Sequence, residues 1–238
     1  MKSLHIITPV KDSIDSTLES ARAIMNSKLT TPYIYTIYND FSLPESRARL
    51  EAASAEMGFE LVNLEDITTN PSPNYLLVLK MAQKRAIEAE AGVLIMESDV
   101  VVKEDTLQSL FDGAMQREDC GIAATVTVDD QGEINYPYLY AKGRQAEVYD
   151  ESKHLSFCCS LLTLRLLKAF DFNKLDPTKN WHDVTISHKS LEVGCKNYLF
   201  VNQGVIHRPH GSRPWKQLKY SNPLKYYWLK FTKGLDKI

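Results

Sequence analysis

The chain predicts an α/β fold, a mainly parallel sheet flanked by helices, and three observations predict it. Apolar runs of strand length alternate with segments of helical spacing through the first half of the chain. Several runs end in polar or acidic residues, Thr8, Asp40 and Asp99 among them, and open parallel sheets bind ligands at the carboxyl ends of their strands. Finally, 238 residues with 44% hydrophobic and 24% charged side chains suffice for one sizeable core.

In chain order, Leu4 to Val10 is a buried strand, and Asp12 or Ser13 can cap a helix carrying Ile14, Leu18, Ala21 and Met25 on one face. Residues 32–38 form a second strand, 39–42 a polar turn, 46–57 a helix and 59–64 a third strand. A long helix over 74–91 leads into a strand at 92–97, and a helix over 106–117 into a strand at 121–128. Repeated strand–helix units of this kind require parallel pairing with helices covering both faces. Residues 129–156 are rich in Tyr, Gly and polar side chains and read as a turn-linked hairpin or loop on the acceptor side. Beyond them, 155–164 is strand-like, Trp181-His182-Asp183 precedes a helix over 184–193, Gly194 ends that helix, and Tyr198 to His207 is the last strand.

The run Gly92-Val-Leu-Ile-Met-Glu-Ser-Asp-Val-Val-Val102 places two carboxylates, Glu97 and Asp99, at the end of an apolar strand. Residues two apart on a strand share a face, so both acids can meet one divalent cation. Such a pair suits a metal–diphosphate site.

Charge is unevenly spread. From residue 205 onward there are eight Lys/Arg against Asp236 alone, a net +7, so the preceding 204 residues carry −9. In residues 222–238, Leu224, Tyr227, Trp228, Phe231 and Leu235 fall on one helical stripe with Lys230, Lys233 and Lys237 opposite. That pattern predicts a basic amphipathic tail helix lying on an anionic membrane surface; the competing reading is a helix docked on the domain's own core. An acidic body with basic charge confined to one tail argues against nucleic acid as a partner. Cys120, Cys158, Cys159 and Cys195 show no CxxC spacing and read as reduced, buried thiols without chemistry. The start Met1-Lys-Ser-Leu-His-Ile-Ile lacks a signal-peptide core, and no window approaches the roughly 18 apolar residues a span requires. The expectation is a cytoplasmic protein, peripheral at the inner face of the cell membrane.

Four segments taken in order give the chain a resemblance to the GT-A fold, Rossmann-like, of family 2 glycosyltransferases, bacterial surface-polysaccharide enzymes among them. Ile7-Thr-Pro-Val10 with Asp12-Ser13 is similar to the family's opening strand and turn, which implies nucleotide contact at Thr8 and Pro9. Tyr38-Asn-Asp-Phe-Ser42 resembles the acidic turn after the second strand, with Asp40 as the uracil or ribose contact. Glu97-Ser-Asp99 stands at the place of the Asp-x-Asp motif, implying donor binding by both acids and a metal on Asp99. His182-Asp183, with Lys189, Gly194 and His207 at family spacing, implies Asp183 as catalytic base and His207 as second metal ligand. Asn39, Phe41, Glu97 and His182 depart from the family pattern at one position each.

The resemblance implies a hexosyltransferase-like enzyme that is inverting and dependent on Mg2+ or Mn2+. It would move a sugar from a nucleotide-diphosphate donor to a glycan or lipid-linked acceptor in polysaccharide assembly. Its expected organisation is a catalytic domain over 1–211, nucleotide-binding in 1–128 and acceptor-side in 129–211, followed by the basic aromatic helix in 212–238. Two alternatives stand beside it: a sugar-phosphate nucleotidyltransferase, against which the absence of glycine in Ile7 to Ser16 weighs, and a non-catalytic nucleotide-sugar-binding protein of the same fold.

Overall fold

A computed structural model describes residues 1–208, 218 and 222–232. Among these residues, nine strands form one sheet with the order β3-β2-β1-β4-β8-β6-β9-β5, and β7 is added on β9. Helices pack on both of its faces.

The first half builds a parallel block from β1 (Ser3–Val10), β2 (Tyr33–Asn39), β3 (Glu60–Asn63) and β4 (Ala91–Met96). These strands are joined by α1 (Ile14–Met25), α2 (Pro44–Met57) and α3 (Tyr75–Glu88). Alternation along the strands divides the core. Leu4, Ile6, Leu94 and Met96 face α1, α2 and α4 (Thr106–Met115), whereas Ile7, Val93 and Ile95 face α3.

The second half departs from simple alternation. A turn at 97–99 leads into the two-residue β5 (Val100–Val101), and β6 (Cys120–Val128) follows α4, buried at all nine positions. The strand β8 (Cys159–Leu162) wedges between β4 and β6 and runs antiparallel to both. After α5 (Leu164–Ala169) and α6 (His182–Glu192), the long β9 (Lys196–His207) pairs parallel with β6 and antiparallel with β7 (Val148–Asp150) and β5. The sheet is therefore mixed but mostly parallel, and one continuous sheet crosses the expected boundary at residue 128.

Several local expectations change. The segment expected as a strand over 155–164 is strand only at 159–162, and the unforeseen α5 begins at once because the Thr163 hydroxyl accepts from the Leu166 N–H. The start of α1 is Ser13, without a side-chain cap. Asp12, at φ 58, accepts from the Leu43 N–H at 2.6 Å while its own N–H donates to the Ser42 hydroxyl, tying the two loops above β1 and β2 together. Within 129–156, the Asp129 carboxylate holds a tight turn by accepting from Gln131 and Glu133, and residues 148–150 join the sheet edge.

The tail helix α7 (Pro223–Thr232) buries Tyr226 and leaves Leu224, Tyr227, Trp228 and Phe231 exposed. His210, Lys233, Leu235 and Lys237 lie outside the described residues. No described helix is long and apolar enough to cross a membrane.

Candidate active site

The site is assembled by strand register at the carboxyl end of the sheet. In the β5–β9 pair Val100 lies opposite His207, and the Arg208 N–H donates to the Asp99 carbonyl at 3.1 Å. His207, 108 residues further along, is thereby fixed beside Asp99. In the β4–β8 pair Met96 lies opposite Cys159, and the Glu97 N–H continues the ladder to the Cys158 carbonyl at 3.0 Å, which brings Cys158 beside Glu97. Neither approach depends on a flexible loop.

Glu97 and Asp99 come together differently from the strand alternation expected of them. The chain turns after Met96, with the Val100 N–H donating to the Glu97 carbonyl, so the acids occupy a turn. Both still converge on one nitrogen. His207 Nε2 is 3.6 Å from Asp99 Oδ2 and 4.0 Å from Glu97 Oε2, while the Cys158 thiol donates to Glu97 Oε2 at 3.0 Å. His207 Nδ1 donates to the Tyr136 carbonyl at 2.8 Å, which orients the ring with Nε2 toward the acids. A histidine that gives its second N–H to a backbone carbonyl is arranged as metal ligands usually are.

The Glu97 carboxyl is pushed above its ordinary value, first by its partial burial, with Asp99 and Asp183 adding to the push and the Cys158 hydrogen bond and His207 opposing it. Burial pulls His207 down, but the hydrogen bond and charge of Asp99 outweigh it and hold the imidazole above its ordinary value. Burial, then the charge of Glu97, pushes the Cys158 thiol well up, so it serves as a donor to Glu97. Two carboxylates within 3.6 to 4.0 Å of one imidazole nitrogen are a donor set that a divalent cation fits, and the oxygen and nitrogen donors suit Mg2+ or Mn2+.

Asp183 occupies the first turn of α6, with its Oδ1 accepting from the Val184 N–H. The helix sits close on β6 because Gly121 has no side chain: a Cβ there would stand 2.1 Å from Ser190 Oγ. The Asp183 charge adds to the electrostatic surroundings of Glu97, of Tyr75 at the start of α3 and of Tyr138. His182 is buried with its ring 6.1 Å from that of Tyr75, and burial lowers its pKa.

Closer to β1 the expected residues have other partners. Thr8 is fully buried and its hydroxyl lies 3.1 Å from Tyr35 OH; Pro9 is half-buried. The Asp40 carboxylate accepts from the Ser72 hydroxyl, the Asn74 N–H and the Asn74 amide at 2.7 to 2.8 Å, which attaches the β2 turn to the start of α3. Phe41 holds φ 57, a left-handed conformation that a residue with a side chain adopts at a cost. Arg85 is turned away, forked onto Glu60 at 2.5 and 2.8 Å. Cys158, Tyr75 and the Tyr136 carbonyl are the site groups that the sequence did not reveal. Cys158 arrives through the β4–β8 pairing, and nothing in its spacing from Glu97 foretells their contact.

No family model matches the chain, and no curated protein matches it by sequence. Solved structures do match. A mannosyltransferase from Pyrobaculum calidifontis, in complex with GDP-Man and Mn2+, superposes with a TM-score of 0.64 at 14% identity, covering 96% of this chain and 64% of that one. S. aureus TarS 1–349 matches with a TM-score of 0.62 at 14% identity over 86% of this chain and 60% of that one; its complex with UDP-GlcNAc gives 0.61 at 15%, over 87% and 59%. The fold is GT-A. The chain spans about three fifths of the length of these GT-A neighbours. In GT-A terms, the Glu97-Ser-Asp99 turn follows β4, and His207 closes β9 beside it.

Proposed function

We propose that this chain is an inverting, divalent-metal-dependent glycosyltransferase acting on a nucleotide-diphosphate sugar. The observation that carries the reading is convergence: Glu97 and Asp99, in the turn after β4, and His207, at the end of β9, come within 3.6 to 4.0 Å at the carboxyl end of a GT-A sheet, and the charge of Asp183 acts on Glu97. That neighbours of this fold were solved with GDP-Man and Mn2+ and with UDP-GlcNAc supports a donor of this class and a metal to hold it.

Asp99 and His207, with Glu97 beside them, would hold Mg2+ or Mn2+, which when bound offsets the charge gathering on the departing diphosphate. Pro9 and Asp40 would border the nucleotide end, with Thr8 fully buried behind them; Asp40 has most of its acceptor capacity engaged by Ser72 and Asn74 and would reach a base or ribose only with what remains. Asp183 takes the proton from an acceptor hydroxyl as that oxygen bonds to the anomeric carbon and the bond from that carbon to the phosphate oxygen breaks. One displacement from the opposite side inverts configuration. The acceptor is a glycan or a lipid-linked glycan, and residues 222–238 hold the protein at the cytoplasmic face of an anionic membrane.

Calorimetry with UDP and GDP tests the reading: binding should need Mn2+ or Mg2+ and vanish with EDTA. Nucleotide binding indifferent to metal, or none at all, sinks it.

A further inference from the structure

The cleft contains a donor that hard-cation chemistry does not use. Glu97, Cys158 and His207 each place one ligand atom such that all three lie within 4.8 Å of one another, and Asp99 Oδ2 adds a fourth atom 3.6 Å from His207 Nε2. Magnesium prefers oxygen donors in octahedral order, whereas zinc takes nitrogen, sulfur and carboxylate oxygen in a tetrahedron of bonds about 2.0–2.3 Å long. A tetrahedron of that size separates its corners by roughly 3.3–3.8 Å. The observed separations of 3.0 Å from Cys158 Sγ to Glu97 Oε2 and 4.0 Å from Glu97 Oε2 to His207 Nε2 bracket that range.

We propose that Cys158 makes this cleft a site for a borderline divalent cation, Zn2+ foremost, held by Glu97, Cys158 and His207. As the sulfur–metal bond forms, the S–H proton now donated to Glu97 leaves to solvent. Three protein donors leave the fourth position of a zinc tetrahedron open to an outside ligand. The thiol, carboxylate and imidazole carry the binding, independently of the glycosyltransferase reading.

The test uses the full chain, freed of metal by EDTA and titrated with Co2+ as a spectroscopic stand-in for Zn2+. Expected are the visible bands of tetrahedral Co2+ and a near-ultraviolet thiolate-to-cobalt band, both displaced by Zn2+. Cys159→Ser should keep the thiolate band. Cys158→Ser should lose it and weaken Zn2+ binding roughly 10- to 100-fold. Weak octahedral bands in the unaltered protein overturn the proposal without need of any variant, as does a thiolate band that survives in Cys158→Ser. The two readings fail separately: Mn2+-dependent nucleotide binding without a thiolate band removes this inference alone, and a thiolate band without nucleotide binding removes the transferase reading alone.

Discussion

Asp40 and Glu97 are both acids at the ends of parallel strands, and the protein employs them in opposite ways. Asp40 accepts three hydrogen bonds from Ser72 and Asn74 and joins two segments more than thirty residues apart. Glu97 accepts one, from a thiol, and faces Asp99 across a gap bounded by His207. A carboxylate surrounded by protein donors stabilises the fold that contains it. One set among other carboxylates makes the fold less stable locally and reserves its charge for a ligand.

The largest effect expected is at the reactive end of that contrast. Asp183→Asn keeps the shape of the α6 turn but removes the base, so transfer should fall about 10²- to 10⁴-fold with donor affinity within a factor of about three. Single-turnover transfer combined with calorimetry reads both quantities. Loss of donor affinity in place of rate would move Asp183 to the binding side.

Asp40→Ala tests the structural end. Three donors lose their acceptor, two of them on buried Asn74, and urea unfolding should show a loss of roughly 3–4 kcal/mol. Unchanged stability with lost nucleotide binding would assign Asp40 to the ligand and erase the contrast with Glu97.

A buried histidine in the parallel block of β1 to β4 gives a pH signature. His5 lies 3.0 Å from the Thr36 hydroxyl, which donates to Glu60, itself held by Arg85. Burial, aided by the Arg85 charge and opposed by Glu60, lowers its pKa to about 4 from 6.5. The folded protein therefore keeps His5 neutral where the unfolded chain would already protonate it. Stability from this group is complete above pH 6.5 and declines as pH falls to about 4, by roughly 3 kcal/mol in total. His5→Leu should flatten this part of the profile relative to the unaltered protein; identical slopes in the two would show that His5 titrates normally in the fold.

How much of this was legible in the sequence depends on how local each signal is. The strands at 4–10 and 121–128 and the helices beginning at 14 and over 106–117 follow from period and composition, and the structure places them within a few residues. In Leu161-Leu-Thr-Leu-Arg-Leu-Leu167 strand and helix periods fit equally well, so α5 was hidden, and its one cue is Thr163 as an N-cap. The antiparallel insertion of β8 between β4 and β6 is a pairing choice with no local mark, and it is what delivers Cys158 to Glu97. His207 was readable only through its spacing to Asp183, because the register that sets it against Val100 exists only in the sheet.

The smallest expected effect on stability lies outside the sheet. In α7, Leu224, Tyr227, Trp228 and Phe231 recur at helical spacing and face outward, with Leu224 86% and Phe231 90% exposed, while Tyr226 is the buried side chain. An apolar stripe turned to solvent is the opposite of what docking on the domain would produce, and lysines flank it at 225 and 230. Replacing Trp228 and Phe231 by Ser should therefore change unfolding by less than about 0.5 kcal/mol while releasing the protein from phosphatidylserine vesicles in a flotation assay. Neutral phosphatidylcholine vesicles should bind weakly throughout, because the lysines add to the apolar contact only where lipid is anionic. A destabilised variant that still floats with anionic vesicles would return the stripe to the protein's own interior.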